Sequence, residues 1–249
     1  LALWDLKGRA LGVPACELLG GKVRDRVPMY ATIVRDTPVA MARRAVACVE
    51  AGFRSLKLMI STIYGFDAQP DTSVDVVREV RAAVGVDVEL MLDANSAWTV
   101  PRAIAQCRRL AEFDIRYIEQ PVPERDLDAL AAVRQASPIP VTFGEEDYSL
   151  WRYKDALARG AADFVQPDQL KAGGLLACKK VAILAEAFSR DCIPHNTQVN
   201  LGFAATLQLI ASTPNCRGAQ ECWILPGRAP DPLRDELLEQ PFRVAGGEV

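Results

Sequence analysis

One histidine, His195, stands in a chain of 249 residues. The chain also has no Cys-x-x-Cys pair and no apolar run of the roughly 20 residues that a membrane-spanning helix needs. It has no excess of positive charge. Lys and Arg number 29 against 32 Asp and Glu, for a net charge of −3 and a pI near 5.4. That balance leaves no basic footprint for nucleic acid or an anionic membrane. The seven cysteines, Cys16, Cys48, Cys107, Cys178, Cys192, Cys216 and Cys222, are odd in number and lack metal-type spacing. They read as reduced core thiols of a cytoplasmic protein, not as a disulfide framework or zinc site. The opening residues do not read as a signal peptide, and none is expected in this stretch. It begins without Met on LALWDLKGRALG, a helix already under way, which suggests a start inside a larger protein. No G-x-G-x-x-G follows the first candidate strand, so a dinucleotide-binding sheet lacks its best evidence.

What is present is an alternation. Short apolar runs are expected as strands at 28–33, 55–60, 88–94, 116–121, 140–145, 164–168, 191–195 and 218–223. Segments of helical period lie between them. Thr72–Ala83 turns Val76, Val77, Val80 and Val84 inward after Asp71, Thr72 and Ser73, any of which can cap it. Gly174–Phe188 turns Leu175, Cys178, Val181, Leu184, Ala185 and Phe188 inward. Strands alternating with helices imply βαβ units and a parallel sheet. Eight repeats favour closure into a barrel over an open doubly wound sheet. The segment 61–71 is the longest interruption and is expected to face substrate.

The strand ends carry charge. Lys57 lies inside the second strand. Asp93, Glu119, Glu145, Asp168, His195 and Glu221 end the third to the eighth, at spacings of 26, 26, 23, 27 and 26 residues. One step is about one βα unit, so these side chains recur at one level, and the C-terminal strand ends are where barrels of this kind build active sites. Taken singly, each acid would as readily cap a helix or pair with a lysine. Three in step, Asp93, Glu119 and Glu145, call for a counter-charge, and an all-oxygen set points to Mg²⁺. Glu146 is the neighbouring alternative to Glu145. Asp168 and His195 come from adjacent repeats, and a carboxylate on one ring nitrogen would make the other a general base. Lys57 is expected at the mouth as a carboxylate binder or a base, or simply as the cation that balances the acids. Glu221 is either a hydrogen-bonding acid on the oxyanion side or a partner for a cation.

These residues, with LALWDLKGRALGVPACELLGG, Lys57-Leu58-Met59, LMLDAN (90–95), IEQP (118–121), GEE (144–146), VQPDQLKAGG (165–174) and PHN (194–196), resemble the enolase superfamily, in particular its mandelate racemase subgroup. The resemblance implies a modified TIM-type (β/α)7β barrel with its active site at the C-terminal strand ends. It assigns Mg²⁺ to Asp93, Glu119 and Glu145, the base dyad to His195 with Asp168, the substrate carboxylate to Lys57, and an oxyanion-side acid to Glu221. Asp168 stands where the muconate-lactonising and dipeptide-epimerase branch has a lysine, and Lys171 is three positions too late to replace it. Residues 1–27 would then be a helical remnant following an α+β capping domain, 28–223 the barrel and 224–249 part of a C-terminal tail. A barrel without the cap would leave its site open to water. The resemblance also implies a homo-oligomer, a dimer or octamer, acting on a small acid.

One departure bears on the reaction. The family commonly has Lys-x-Lys on the second strand, and here the second position is Met59, whose thioether takes no proton. Two-base racemisation loses a base, whereas one-base chemistry survives. The expectation is therefore dehydration of a sugar acid to a 2-keto-3-deoxy acid: His195 removes the proton α to the carboxylate, an enediolate forms and the β-hydroxyl leaves. An epimerase, racemase or cycloisomerase on a related acid is the alternative. A non-catalytic carboxylate- or metal-binding relative is the alternative from another class.

Overall fold

The computed structural model describes residues 1–61, 65–226 and 239–249. Within them the chain runs α1 (Ala2–Leu11), α2 (Ala15–Leu18), β1 (Met29–Ile33), α3 (Pro38–Glu50), β2 (Ser55–Met59), α4 (Ser73–Val84), β3 (Glu89–Asp93) and α5 (Val100–Leu110). A 3-10 turn (Ala111–Phe113) leads to β4 (Ile115–Glu119), α6 (Leu127–Ala136), β5 (Thr142–Phe143), α7 (Leu150–Ala158), β6 (Phe164–Val165), α8 (Leu175–Ala187), β7 (Asp191–Cys192), α9 (Leu201–Ala211) and β8 (Gln220–Cys222). A strand stands at each of the eight expected places. The expected substrate-facing loop and C-terminal tail fall partly on 62–64 and 227–238, outside the described residues. No described helix is long and apolar enough to cross a membrane.

The strands after β4 are shorter than their apolar runs. Gly144, at φ +120°, turns the chain one residue after β5. Pro167 and Pro194 follow β6 and β7 by two residues, and a proline has no N–H to extend a ladder. Asp93 and Glu119 therefore end their strands and Glu221 lies inside β8. Glu145, Asp168 and His195 stand two or three residues beyond theirs, a correction to the expected strand ends.

The chain divides into two compact units, Leu1–Met29 with Gly144–Lys154 and Val165–Val249, and Tyr30–Phe143 with Asp155–Phe164. In the second unit β1 to β4 lie side by side in chain order. The first three pairs are parallel, with Thr32 opposite Lys57, Met59 opposite Asp93, and Asp93 opposite Glu119. Both faces of these strands are covered, so they read as near-continuous apolar runs. Leu56, Leu58, Leu90 and Leu92 are fully buried among them. Thr37 caps α3 by accepting the Ala40 N–H at 3.3 Å, and Pro38 occupies the first turn, where no amide donor is needed. At α4 the capping group is Asp71, whose carboxylate accepts the Ser73 N–H at 3.0 Å; Thr72 makes no side-chain cap. Val76, Val77 and Val80 are buried as expected, and Val84 is half-buried.

In the first unit α1, α2, α8 and α9 enclose Leu19, Leu175, Cys178 and Leu209, with Trp4 and Ala205 against them. Arg24 donates to the carbonyls of Ile210, Thr213, Pro214 and Cys216, at the end of α9 and in the turns just beyond it. Phe188 departs from its expected inward position. It follows α8 as the C-cap and is 41% exposed, because the chain turns there through Ser189 at φ +58°. A cavity of about 780 Å³ in this unit is mainly apolar and lined by Trp4, Val13, Leu175 and Leu201. None of the charged strand-end residues lines it, so it is not the candidate site.

Candidate active site

The second unit gathers Lys57, Asp93 and Glu119. Asp93 and Glu119 are the terminal residues of two paired strands, in register, which puts them at one level on one face. Met59 occupies the same row beside Asp93, and Lys57 shares the Met59 face two residues back along β2. All three charges are buried, at 2–3% exposure for Lys57 and Asp93 and 0% for Glu119. Lys57 Nζ lies 3.0 Å from Glu119 Oε2 and 5.5 Å from the centre of the Tyr30 ring. Of the roles open to Lys57, the geometry shows a cation balancing an acid. Asn95 turns back on Asp93, giving its backbone N–H to Oδ1 at 2.8 Å and its amide to Oδ2 at 2.9 Å. The positive φ of Asn95, +46°, makes this short return possible.

The first unit gathers Glu145, Asp168, His195 and Glu221. His195 Nδ1 lies 2.8 Å from Asp168 Oδ2. The other carboxylate oxygen of Asp168 accepts the Leu170 N–H at 2.7 Å, so the acid is oriented from two sides. Burial raises the Asp168 carboxyl, but its hydrogen bonds from His195 and Leu170, with the charges of His195 and Lys171, outweigh that and hold it below the ordinary aspartate value. Nε2 of His195 faces Glu145 Oε2 at 3.2 Å and Glu221 Oε2 at 3.9 Å. With Nδ1 bonded to Asp168, Nε2 is the nitrogen left for proton transfer. Glu221 is buried and accepts the Asn196 N–H at 3.0 Å. Glu145 is half-buried on this cluster and Glu146 is exposed. The turn that carries Glu145 is held by Tyr153, whose hydroxyl lies 2.7 Å from the Gly144 carbonyl and 3.2 Å from that of Asp147. A Cβ on Gly144 would run into the Tyr153 ring.

Asn95, Tyr153 and Asn196 are positioning groups that the strand-end pattern does not single out. Asn95 and Asn196 lie inside the motifs LMLDAN and PHN and are detectable there. Tyr153 lies within α7, and nothing in its local sequence marks it. Among the described residues no group of three His, Cys, Asp or Glu side chains is arranged to hold a metal ion. The expected triad is represented by the Asp93–Glu119 pair in the second unit and by Glu145 in the first.

Residues 40–249 match the model of the family described as Enolase C-terminal domain-like. The chain is 36% identical over its whole length to a D-galactarolactone cycloisomerase of Agrobacterium fabrum, of which it covers 66%. It is 33% identical over 84% of its length to a D-galactonate dehydratase of Pectobacterium atrosepticum, of which it covers 55%. The chain thus spans less than two thirds of these relatives. Among solved structures it resembles an enolase from Bradyrhizobium complexed with magnesium and mandelic acid, at 32% identity and a TM-score of 0.84, covering all of this chain and 63% of that one. The likeness extends to other proteins described as mandelate racemase/muconate lactonizing enzyme-like. The fold class is accordingly the parallel-strand, TIM-barrel-like one, and the open doubly wound sheet is set aside. The chain belongs to the Enolase C-terminal domain-like family, within the mandelate racemase-like part of the enolase superfamily.

Proposed function

We propose that the whole protein is a Mg²⁺-dependent lyase that removes the proton α to the carboxylate of a sugar acid and expels the β-hydroxyl, giving a 2-keto-3-deoxy acid. The observation that carries this reading is the His195–Asp168 pair: a buried imidazole with one nitrogen 2.8 Å from a carboxylate and the other turned toward the Glu145 and Glu221 carboxylates. A protein that only bound carboxylates would have no use for an oriented base.

The metal reading rests on the chemistry of the donors. Asp93 and Glu119 are two buried carboxylates in one row, with Lys57 as the buried cation beside them. An all-oxygen, doubly negative pair suits a hard divalent ion, and Glu145 is the third ligand in this proposal. Bound Mg²⁺ supplies Lewis acidity and positive charge for the substrate carboxylate.

The chain's own residues do the rest. His195 Nε2 takes the α-proton while Asp168 keeps the ring's tautomer and orientation and stabilises the imidazolium. The C–H electron pair moves onto the substrate carboxylate, giving an enediolate; it then forms the C2–C3 double bond as the C3–O bond breaks, and the imidazolium returns its proton to the departing hydroxyl, releasing water. The enol then tautomerises to the keto acid. Lys57, bound to Glu119, keeps the acid row from carrying its full negative charge. Glu221, oriented by Asn196, is the acid that the family resemblance assigns to the oxyanion side. Met59, beside Asp93, provides no second base, so exchange of configuration is not the reaction favoured. We further place the protein in the cytoplasm as a homo-oligomer, for which seven buried free cysteines and the family resemblance are the support.

A second reading is cycloisomerisation of a sugar-acid lactone, which also needs one base and is favoured by the 36% identical relative. A screen of aldonic acids, aldaric acids and their lactones with Mg²⁺ separates the two. A keto acid that is lighter than its open-chain substrate by one water supports dehydration. A lactone converted without change of mass supports cycloisomerisation. No turnover and no α-proton exchange on any member would remove both. His195→Asn is expected to abolish the reaction, by about 10²- to 10⁴-fold or more, and full activity in that variant would sink the assigned base.

A further inference from the structure

Arg35 stands two residues past β1 in the second unit. Its Nη2 is buried and reaches no hydrogen-bond acceptor among the described residues. The other half-buried arginines of that unit all donate to named acceptors. Arg81 serves the carbonyls of Phe113 and Val88, Arg102 the Asp71 carboxylate, Arg116 that of Glu89 and Arg134 that of Asp163. A guanidinium N–H withdrawn from water without a partner costs free energy, so an exception of this kind calls for a reason.

Balancing Asp93 is an insufficient reason. Asp93 is near enough to be felt: burial lowers the Arg35 guanidinium from its ordinary value and the Asp93 charge opposes that. Yet Arg35 Nη2 makes no hydrogen bond to that carboxylate, whose two oxygens each accept from Asn95. What Arg35 does border is a cavity of about 70 Å³ with a mixed polar and apolar lining, formed also by Ile60 and Ser61 beyond β2 and by Ala97 and Trp98 beyond β3. That volume holds more than one water-sized group. Its carboxylate, Asp71, is occupied by Ser73, Arg102 and Gln106, and the Ser61 hydroxyl donates to the Ala94 carbonyl. Arg35 therefore brings to the cavity a buried donor that has no partner, and its planar fork matches a carboxylate.

We propose that Arg35 binds a second carboxylate of the substrate, so that the site prefers sugar diacids over monoacids. This rests on the reading that the Asp93–Glu119 end of the unit holds the first carboxylate. The test compares a C6 aldaric acid with the aldonic acid of the same configuration, in the wild-type protein and in Arg35→Gln, with Mg²⁺. The ratio of kcat/KM for diacid over monoacid is expected to fall about 10- to 100-fold in the variant, the worth of a charge-assisted hydrogen bond. Arg35→Lys is expected to restore part of it, and stands in for the glutamine variant if that does not fold. A ratio that does not change, whether both acids weaken together or neither does, overturns the proposal. If the wild-type protein turns over neither acid, the dehydratase reading fails first. Calorimetric binding of the same two acids then decides this one: diacid selectivity lost in Arg35→Gln upholds it, and equal binding, or none, overturns it.

Discussion

In the unit built around β1 to β4, Asp93 and Glu119 are the last residues of hydrogen-bonded strands, and the ladder itself sets their level. In the other unit Glu145, Asp168 and His195 stand beyond two-residue strands, on turns that no ladder supports. There the positions are fixed one at a time: Leu170 N–H on Asp168, Asn196 N–H on Glu221, the Tyr153 hydroxyl across the Gly144–Asp147 turn. The first arrangement holds charge in a rigid, dry row. The second presents an imidazole nitrogen among carboxylates. Residues that end paired strands take their level from the ladder together, whereas residues on turns each need a partner of their own.

The comparison can be broken at its strongest point first. Lys57→Met leaves Glu119 buried without its cation, and breaking such a pair costs about 3–5 kcal/mol. Urea unfolding without added metal should show that loss, and Lys57→Met/Glu119→Gln together should recover most of it. If the single variant costs under 1 kcal/mol, the row is not held by this pair.

Asp168→Asn should lower turnover of a competent substrate by about 10²-fold or more while leaving the fold intact. Its effect on stability has a definite sign. The folded carboxyl titrates below its unfolded value, so its contribution is complete above about pH 4 and fades as pH falls through the lower folded value. The stability gap between wild type and Asp168→Asn should therefore be widest near neutrality and close in acid. A gap that widens on acidification would contradict the assigned hydrogen bonds.

Tyr153→Phe sharpens the contrast, since it removes one hydroxyl from the Glu145 turn. The expected loss is about 1 kcal/mol, well below that of Lys57→Met. Equal costs would mean that the turn is as tightly determined as the ladder. The smallest effect concerns the thiols. Burial pushes Cys48 up to about 11 and Cys178 and Cys222 up to about 12. A thiol reagent at neutral pH should label the native protein far more slowly than the unfolded chain, in which all seven react.

Much of this molecule is legible in its residues. The eight apolar runs place the eight strands because a strand buried on both faces leaves a continuous local signature. The near-constant step from Asp93 to Glu221 marks the repeat without any knowledge of contacts. Strand length is less legible: Gly144, Pro167 and Pro194 stand in the sequence, but only the ladder shows that they stop β5, β6 and β7 early. Phe188 continues the helical period of α8 in sequence, but the chain turns at that residue and leaves it exposed.

What local sequence determined, then, is the alternation of elements, the recurrence of charge at their ends, and the substitution of Met59 for a possible base. Only the tertiary structure decided which atoms meet. Lys57 joins Glu119 across 62 residues and His195 joins Asp168 across 27. Glu145 rather than Glu146 turns to the imidazole, and Arg35 is left with a buried donor and a cavity. The physical reason is range. Period and spacing are properties of neighbours along the chain, whereas a hydrogen bond of 3 Å between distant residues depends on how every intervening element packs.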